Sequence, residues 1–119
     1  MRLNKEVIEK LKKIQKSSIE EVGGYITNDD KVIKCENIHQ DKSNNFMFSC
    51  EDLDKLENES TIATFHTHIN KSANLSKEDY NAFLNWEKLL HFIVGEDKIN
   101  CYKVSERGTI VIEPIEEVE

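Results

Sequence analysis

The chain has 119 residues, a formal net charge of −7 and 38% hydrophobic residues, enough apolar material for one packed domain and too little length for two. The excess of Asp and Glu argues against a nucleic-acid partner, because phosphate binding draws on clustered Lys and Arg. No stretch approaches the roughly 20 apolar residues of a membrane span, and the N-terminus "MRLNKEVIEK" shows no secretory h-region. Cys35, Cys50 and Cys101 form no CxxC pair, so the expectation is a cytoplasmic domain with reduced thiols and no membrane partner.

In chain order, Leu3, Val7, Ile8, Leu11 and Ile14 recur at helical spacing and predict an amphipathic first helix ending near "KSS". "VGGYIT" and "KVIKCENI" read as a hairpin turned at "NDD". "NNFMFS" reads as a short strand, and "SCEDLDKLEN" as a short helix started by Ser49 or a neighbour. "STIATFHTHI" has the strongest sheet propensity in the chain. A helix over about Ser76 to Trp86 follows, then a buried strand at "LLHFIVG" and a closing hairpin, "KINCYKVS" and "GTIVIEP", around "ERG". The acidic end, residues 114–119, reads as a loose tail on a domain spanning 1–113. The order predicts an α/β (α+β) domain with a mixed, mostly antiparallel sheet flanked by helices.

The chemistry concentrates in "TFHTHINKSANLSKEDY", residues 64–80. Side chains alternate along a strand, so Ile62, Thr64, His66 and His68 point one way while Ala63, Phe65 and Thr67 point the other. Two imidazoles on one face can converge on one cation, and Asp79, in the first turn of the next helix, is placed to return as a third ligand. With a water, that set makes a tetrahedral site of catalytic type. Glu20 and Glu21, beside Gly23 and Gly24, offer a general base, and Ser76 offers a hydroxyl to a developing oxyanion. Each piece also has a plainer reading. "SKED" is a near capping box, histidines on one strand face are more often polar core or surface than ligands, and His39 and His91 stand apart from the motif. The polar stretch at residues 39–46 lies between strands and is a candidate gate.

This pattern resembles the JAB/MPN (JAMM-motif) metalloprotease family, in which Glu-x-x-Gly is followed at a distance by His-x-His, seven residues and Ser-x-x-Asp. Here the parts are "EVGG" (Glu21 to Gly24), "HTH" (His66 to His68), "INKSANL" and "SKED" (Ser76 to Asp79). The resemblance implies a single JAB/MPN-like domain with His66, His68 and Asp79 as ligands of a Zn²⁺ ion, Glu21 rather than Glu20 as general base, and Ser76 as oxyanion partner. It implies hydrolysis of an amide or isopeptide bond in a protein or peptide substrate, including bonds to ubiquitin-like tails. Many relatives have proline where this chain has Ile69 and Leu75. The insertions that grip ubiquitin in larger relatives have no room in 119 residues, which suggests the minimal prokaryotic or phage type. "NWEKLLHFIVG" is similar to JAB domains of phage tail-assembly proteins, so a cell-wall or phage component as partner and a virion-associated location also follow from the resemblance. The alternative function is a phage tail-tip assembly or scaffold module with little or no turnover. Two histidines and a carboxylate also describe non-haem Fe(II) sites, but the glutamate base and SxxD favour zinc.

Overall fold

A computed structural model describes all residues, 1–119. The chain begins with β1 (Arg2–Asn4) and α1 (Lys5–Ser17). Asn4 caps α1 by accepting from the Glu6 amide at 2.8 Å, so Leu3 belongs to a strand rather than to the helix. The apolar stripe is nonetheless continuous: Leu3, Val7, Ile8, Leu11 and Ile14 are all buried, as the 3.6-residue period requires of a helix laid on a sheet.

The hairpin β2 (Gly23–Thr27) and β3 (Val32–Cys35) follows, its turn passing through Asp30 at φ 64°. Next come α2 (Cys50–Leu56), β4 (Thr61–Thr67), α3 (Lys77–Leu84), β5 (Leu90–Val94), β6 (Ile99–Val104), β7 (Ile110–Glu113) and β8 (Glu116–Val118). Six strands form one sheet in the order β3-β2-β4-β5-β6-β7. Only the β4–β5 pair is parallel, joined by the crossover through α3; the other neighbours are antiparallel. The expected mixed, mostly antiparallel sheet with flanking helices is therefore present.

Further expectations are corrected. Residues 44–49, "NNFMFS", form no strand; Asn37 holds the segment instead, its Oδ1 accepting from the Met47 and His39 amides and its Nδ2 donating to the Asn45 carbonyl. The helix expected to reach Trp86 stops at Leu84. The acidic end is not loose, because Glu116–Val118 pairs in parallel with Arg2–Asn4 and the Met1 ammonium donates to the Pro114 carbonyl at 3.0 Å. Strands this short carry no readable alternation.

One face of the sheet packs under α1. Ile26, Ala63, Phe65, Phe92, Val94 and Cys101 meet the α1 stripe in a cluster of twelve buried residues. The opposite face, under α3, holds a smaller cluster of Ala73, Phe83, Ile93 and Tyr102. The strand alternation holds for Ala63 and Phe65 against Thr64 and His66. It fails at Ile62, which packs against the α1 cluster because the β2–β4 register shifts between Ile26 and Thr27.

Candidate metal centre

The site forms where β2 begins and β4 ends, since antiparallel pairing sets Gly23 opposite His66. Glu21 is fixed there by its backbone. Its amide donates to Lys42 O at 2.8 Å, its carbonyl accepts from Asn37 Nδ2 at 2.9 Å, and the next residue exchanges bonds with Thr67, Val22 N to Thr67 Oγ1 at 2.9 Å and Thr67 N to Val22 O at 2.8 Å. The glycines serve close approach. A Cβ on Gly24 would run into the Ile33 carbonyl of β3, and one on Gly23 would lie 2.6 Å from the Phe46 ring.

His66 and His68 lie at the other side of this junction, both buried. The His68 amide continues the β5 ladder by donating to Val94 O at 2.9 Å, and Gln15 of α1 donates to the His68 carbonyl at 3.2 Å. Its Nδ1 donates to Ser72 O at 2.8 Å, which leaves Nε2 turned into the cleft, the arrangement that orients a metal-ligating imidazole. The loop from Ile69 to Leu75 needs no proline for rigidity. The Ala73 carbonyl accepts from Tyr102 Oη at 2.8 Å and from Asn100 Nδ2 at 3.3 Å, the Ala73 amide donates to Asp97 Oδ1 at 3.0 Å, and Asn70 turns the chain at φ 55°.

Asp79 closes the site from α3. Its Oδ1 is 2.9 Å from His66 Nε2 and its Oδ2 is 3.1 Å from His68 Nε2. The capping-box reading is also correct: the Asp79 amide donates to Ser76 Oγ and the Ser76 amide to Asp79 Oδ2, each at 3.1 Å. The two roles are compatible. The cap uses a lone pair of Ser76 Oγ and leaves the O–H free, while one carboxylate oxygen has room for more than one partner.

Glu21, His66 and His68 are all buried and bring one ligand atom each to within 4.8 Å of one another. Two of their atoms, Glu21 Oε2 and His66 Nε2, are buried without any hydrogen bond; the 2.9 Å approach of Asp79 to His66 is too poorly aligned to count as one. Orphaned buried polar atoms are costly. A donor set of two imidazoles and carboxylates around such atoms is what a borderline divalent cation takes, so the residues present fit a metal. Burial raises the Glu21 carboxyl above its ordinary pKa, although His66 and His68 pull it back. Burial also works against ionised Asp79, yet the imidazoles of His66 and His68 beside it prevail and hold it well below the usual carboxylate range. For His68, burial opposes the charged form, and Asp79 and the Ser72 carbonyl outweigh it and raise the pKa.

All five residues singled out in the sequence thus line one cleft of 790 Å³. The sequence does not reveal that Glu21 approaches the two imidazoles as closely as a ligand would. Nor does it bring His39 and His91 into the picture, yet both line the cleft. His91 is a packed residue as expected. Its Nε2 donates to Trp86 O at 3.0 Å, its Nδ1 accepts from Thr64 Oγ1 at 2.6 Å, and its ring stacks on Phe83 at 4.2 Å. No ring nitrogen is left for a ligand, and burial lowers its pKa to about 4. A cysteine nucleophile is disfavoured. None of the three lines the cleft, and burial pushes Cys35 and Cys101 up to about 11 and about 12.

No protein-family model matches the sequence, and no curated protein shows significant similarity to it. Solved structures do match. The solution structure of a protein from Desulfitobacterium hafniense superposes with a TM-score of 0.70 at 20% identity, covering 99% of this chain and 92% of that one. The crystal structure of a JAB1/MPN domain protein from Archaeoglobus fulgidus gives a TM-score of 0.64 at 19% identity, covering 100% of both chains. No helix is long and apolar enough to cross a membrane. Over its whole length the chain is built on a JAB/MPN-like fold, with a Glu/His/His group of metal-binding geometry at the junction of β2 and β4.

Proposed function

We propose that the protein is a zinc-dependent metallopeptidase or isopeptidase acting on a protein or peptide substrate. The observation that carries this reading is the pair of buried atoms without a hydrogen bond, Glu21 Oε2 and His66 Nε2, in a Glu21/His66/His68 group whose ligand atoms lie within 4.8 Å of one another, with Asp79 beside both imidazoles. His66, His68 and Asp79 would hold the ion, which when bound supplies Lewis acidity and lowers the pKa of a coordinated water from 15.7 toward about 7.

The chain's own groups supply the rest. Glu21, destabilised as a carboxylate by burial, takes up a proton from the attacking water and returns it to the departing amine, a role typically worth about 100- to 10,000-fold in rate. Ser76, exposed at the cleft edge with its O–H unspent by the cap, donates to the oxygen that gains charge at the scissile carbonyl. Asp79, ionised and aligned by the Ser76 amide, would complete the ligand set beside the two imidazoles.

The test is hydrolysis of peptide and isopeptide substrates by zinc-loaded wild type beside Glu21→Gln. The expected outcome is a loss of about 100- to 10,000-fold in rate with zinc still bound. Zinc lost with Glu21→Gln would instead make Glu21 a ligand, as its closeness to His66 and His68 allows. Unchanged hydrolysis by the zinc-bound variant would remove the mechanism, and a scaffold role on the same fold would then take precedence.

A further inference from the structure

The cleft around the candidate metal centre is far larger than a metal and its water need, and much of its exposed wall is apolar. Phe46, Met47, Phe48, Leu53, Phe83 and Trp86 all line it together with Glu21, His66, His68 and Asp79. Met47 is 49% exposed, much for a large apolar side chain that borders a concave surface.

This wall is built rather than accidental. Phe46 lies over the bare backbone of Gly23, two residues from Glu21, where a Cβ would meet its ring at 2.6 Å. Phe48 stands edge-on to Phe46 with ring centroids 4.8 Å apart. Asn37 holds the segment from two directions, its Nδ2 on the carbonyls of Glu21 and Asn45 and its Oδ1 on the amide of Met47. The far side is equally fixed. Asn45, its side-chain amide oriented to donate, reaches Glu78 Oε2 on α3 at 2.5 Å, and Phe83 is clamped between His66 and the stacked His91. Phe46, Phe48 and Phe83 are therefore held by their neighbours, and with Trp86 they line the same cleft as the candidate metal centre.

Charge does not compete strongly with this surface. Glu21, Glu78 and Asp79 share the lining of the cleft with Lys71 and Lys77, and a divalent cation would offset the remaining negative charge.

We infer that the cleft selects a peptide with a large apolar residue, such as Phe or Leu, beside the bond held at the metal centre, its side chain seated against Phe46, Phe48 and Trp86. This inference rests on reading the cleft as a peptide site. Burying such a side chain strengthens binding at least tenfold over glycine.

Trp86 is the only tryptophan of the chain, so its fluorescence reports occupancy directly. Zinc-treated Glu21→Gln protein, chosen so that no peptide is consumed, is titrated with acetyl-Gly-Xaa-Gly-Gly-amide peptides carrying Phe, Leu, Gly, Asp or Lys at Xaa. The Phe and Leu peptides are expected to bind at least tenfold more tightly than the others. Phe46→Ala and, separately, Phe48→Ala are expected to cut that advantage at least threefold in protein shown by circular dichroism to be folded. An advantage below tenfold, an advantage untouched by both variants, or no saturable response to any peptide would overturn the inference. Hydrolysis is scored separately on wild type: selective binding without turnover removes the peptidase reading and leaves the apolar pocket, whereas turnover without selectivity does the reverse.

Discussion

On one face of β4, Ala63 and Phe65 are sealed beneath α1 in a cluster of twelve buried residues; on the other, His66 borders an open cleft backed by an apolar cluster of four. The first face has the features of a stability element: an apolar helical stripe, a twelve-residue buried cluster and no orphaned buried side-chain polar atom. The second keeps Glu21 Oε2 and His66 Nε2 buried and unpartnered. A small domain can hold such a site because its stability is concentrated on the opposite side of the same strand. Breaks of local consistency of this kind are expected at functional sites.

The largest effect expected on the sealed face comes from Leu11→Ala. Leu11 is fully buried, and removing its side chain leaves a cavity costing about 2 to 5 kcal/mol. Urea denaturation should show that loss, while zinc bound per folded molecule stays the same. A loss of zinc in folded Leu11→Ala protein would mean that the two faces are not separable.

The next effect is one of pH and involves His91, at the back of the cleft. Its folded pKa of about 4 lies below the ordinary 6.5, so between those values the unfolded chain binds a proton that the folded chain refuses. The stability that neutral His91 confers is therefore fully present above pH 6.5 and is lost as pH falls toward 4, by roughly 3 kcal/mol in all. Denaturation of the metal-free protein between pH 7 and pH 4.5 should show a steeper decline for wild type than for His91→Asn. Parallel curves would refute a buried neutral His91.

The smallest effects compare two helix caps. Ser49 caps α2 by accepting from the Asp52 amide at 3.2 Å, and Ser76 caps α3 by accepting from the Asp79 amide at 3.1 Å. Ser49→Ala and Ser76→Ala should each cost about 1 kcal/mol of stability. Only Ser76→Ala should also slow hydrolysis, by about 100- to 1,000-fold. Equal rates in the two variants would leave Ser76 as a cap alone.

The site was more legible in the sequence than the frame around it. HxH at a strand end sets both imidazoles on one face by the two-residue period, and SxxD starts a helix by local hydrogen bonds; His66 at the end of β4 and His68 just beyond it keep that face, and Ser76 and Asp79 form the cap. The α1 stripe and the two hairpins were legible for the same reason, since their periods repeat over enough residues to be seen. What escaped depends on distant partners. β1 and β8 are three residues each and exist because the two ends of the chain pair with one another. Phe46 and Phe48 have strand propensity but are held in a loop by one side chain, Asn37. Ile62 leaves its expected face because of a register shift against β2. The closeness of Glu21 to His66 and His68 follows from the β2–β4 pairing, which no local pattern encodes.

Whether His66 and His68 hold a metal ion with a neighbouring carboxylate is read directly from metal stoichiometry by mass spectrometry. Protein purified without chelator is compared with His66→Ala/His68→Ala, each also after zinc is added back and excess removed. About one zinc per wild-type chain and none in the double variant is expected. No zinc in wild type after add-back, or equal zinc in both proteins, would contradict it and leave residues 64–80 as a strand and a capped helix.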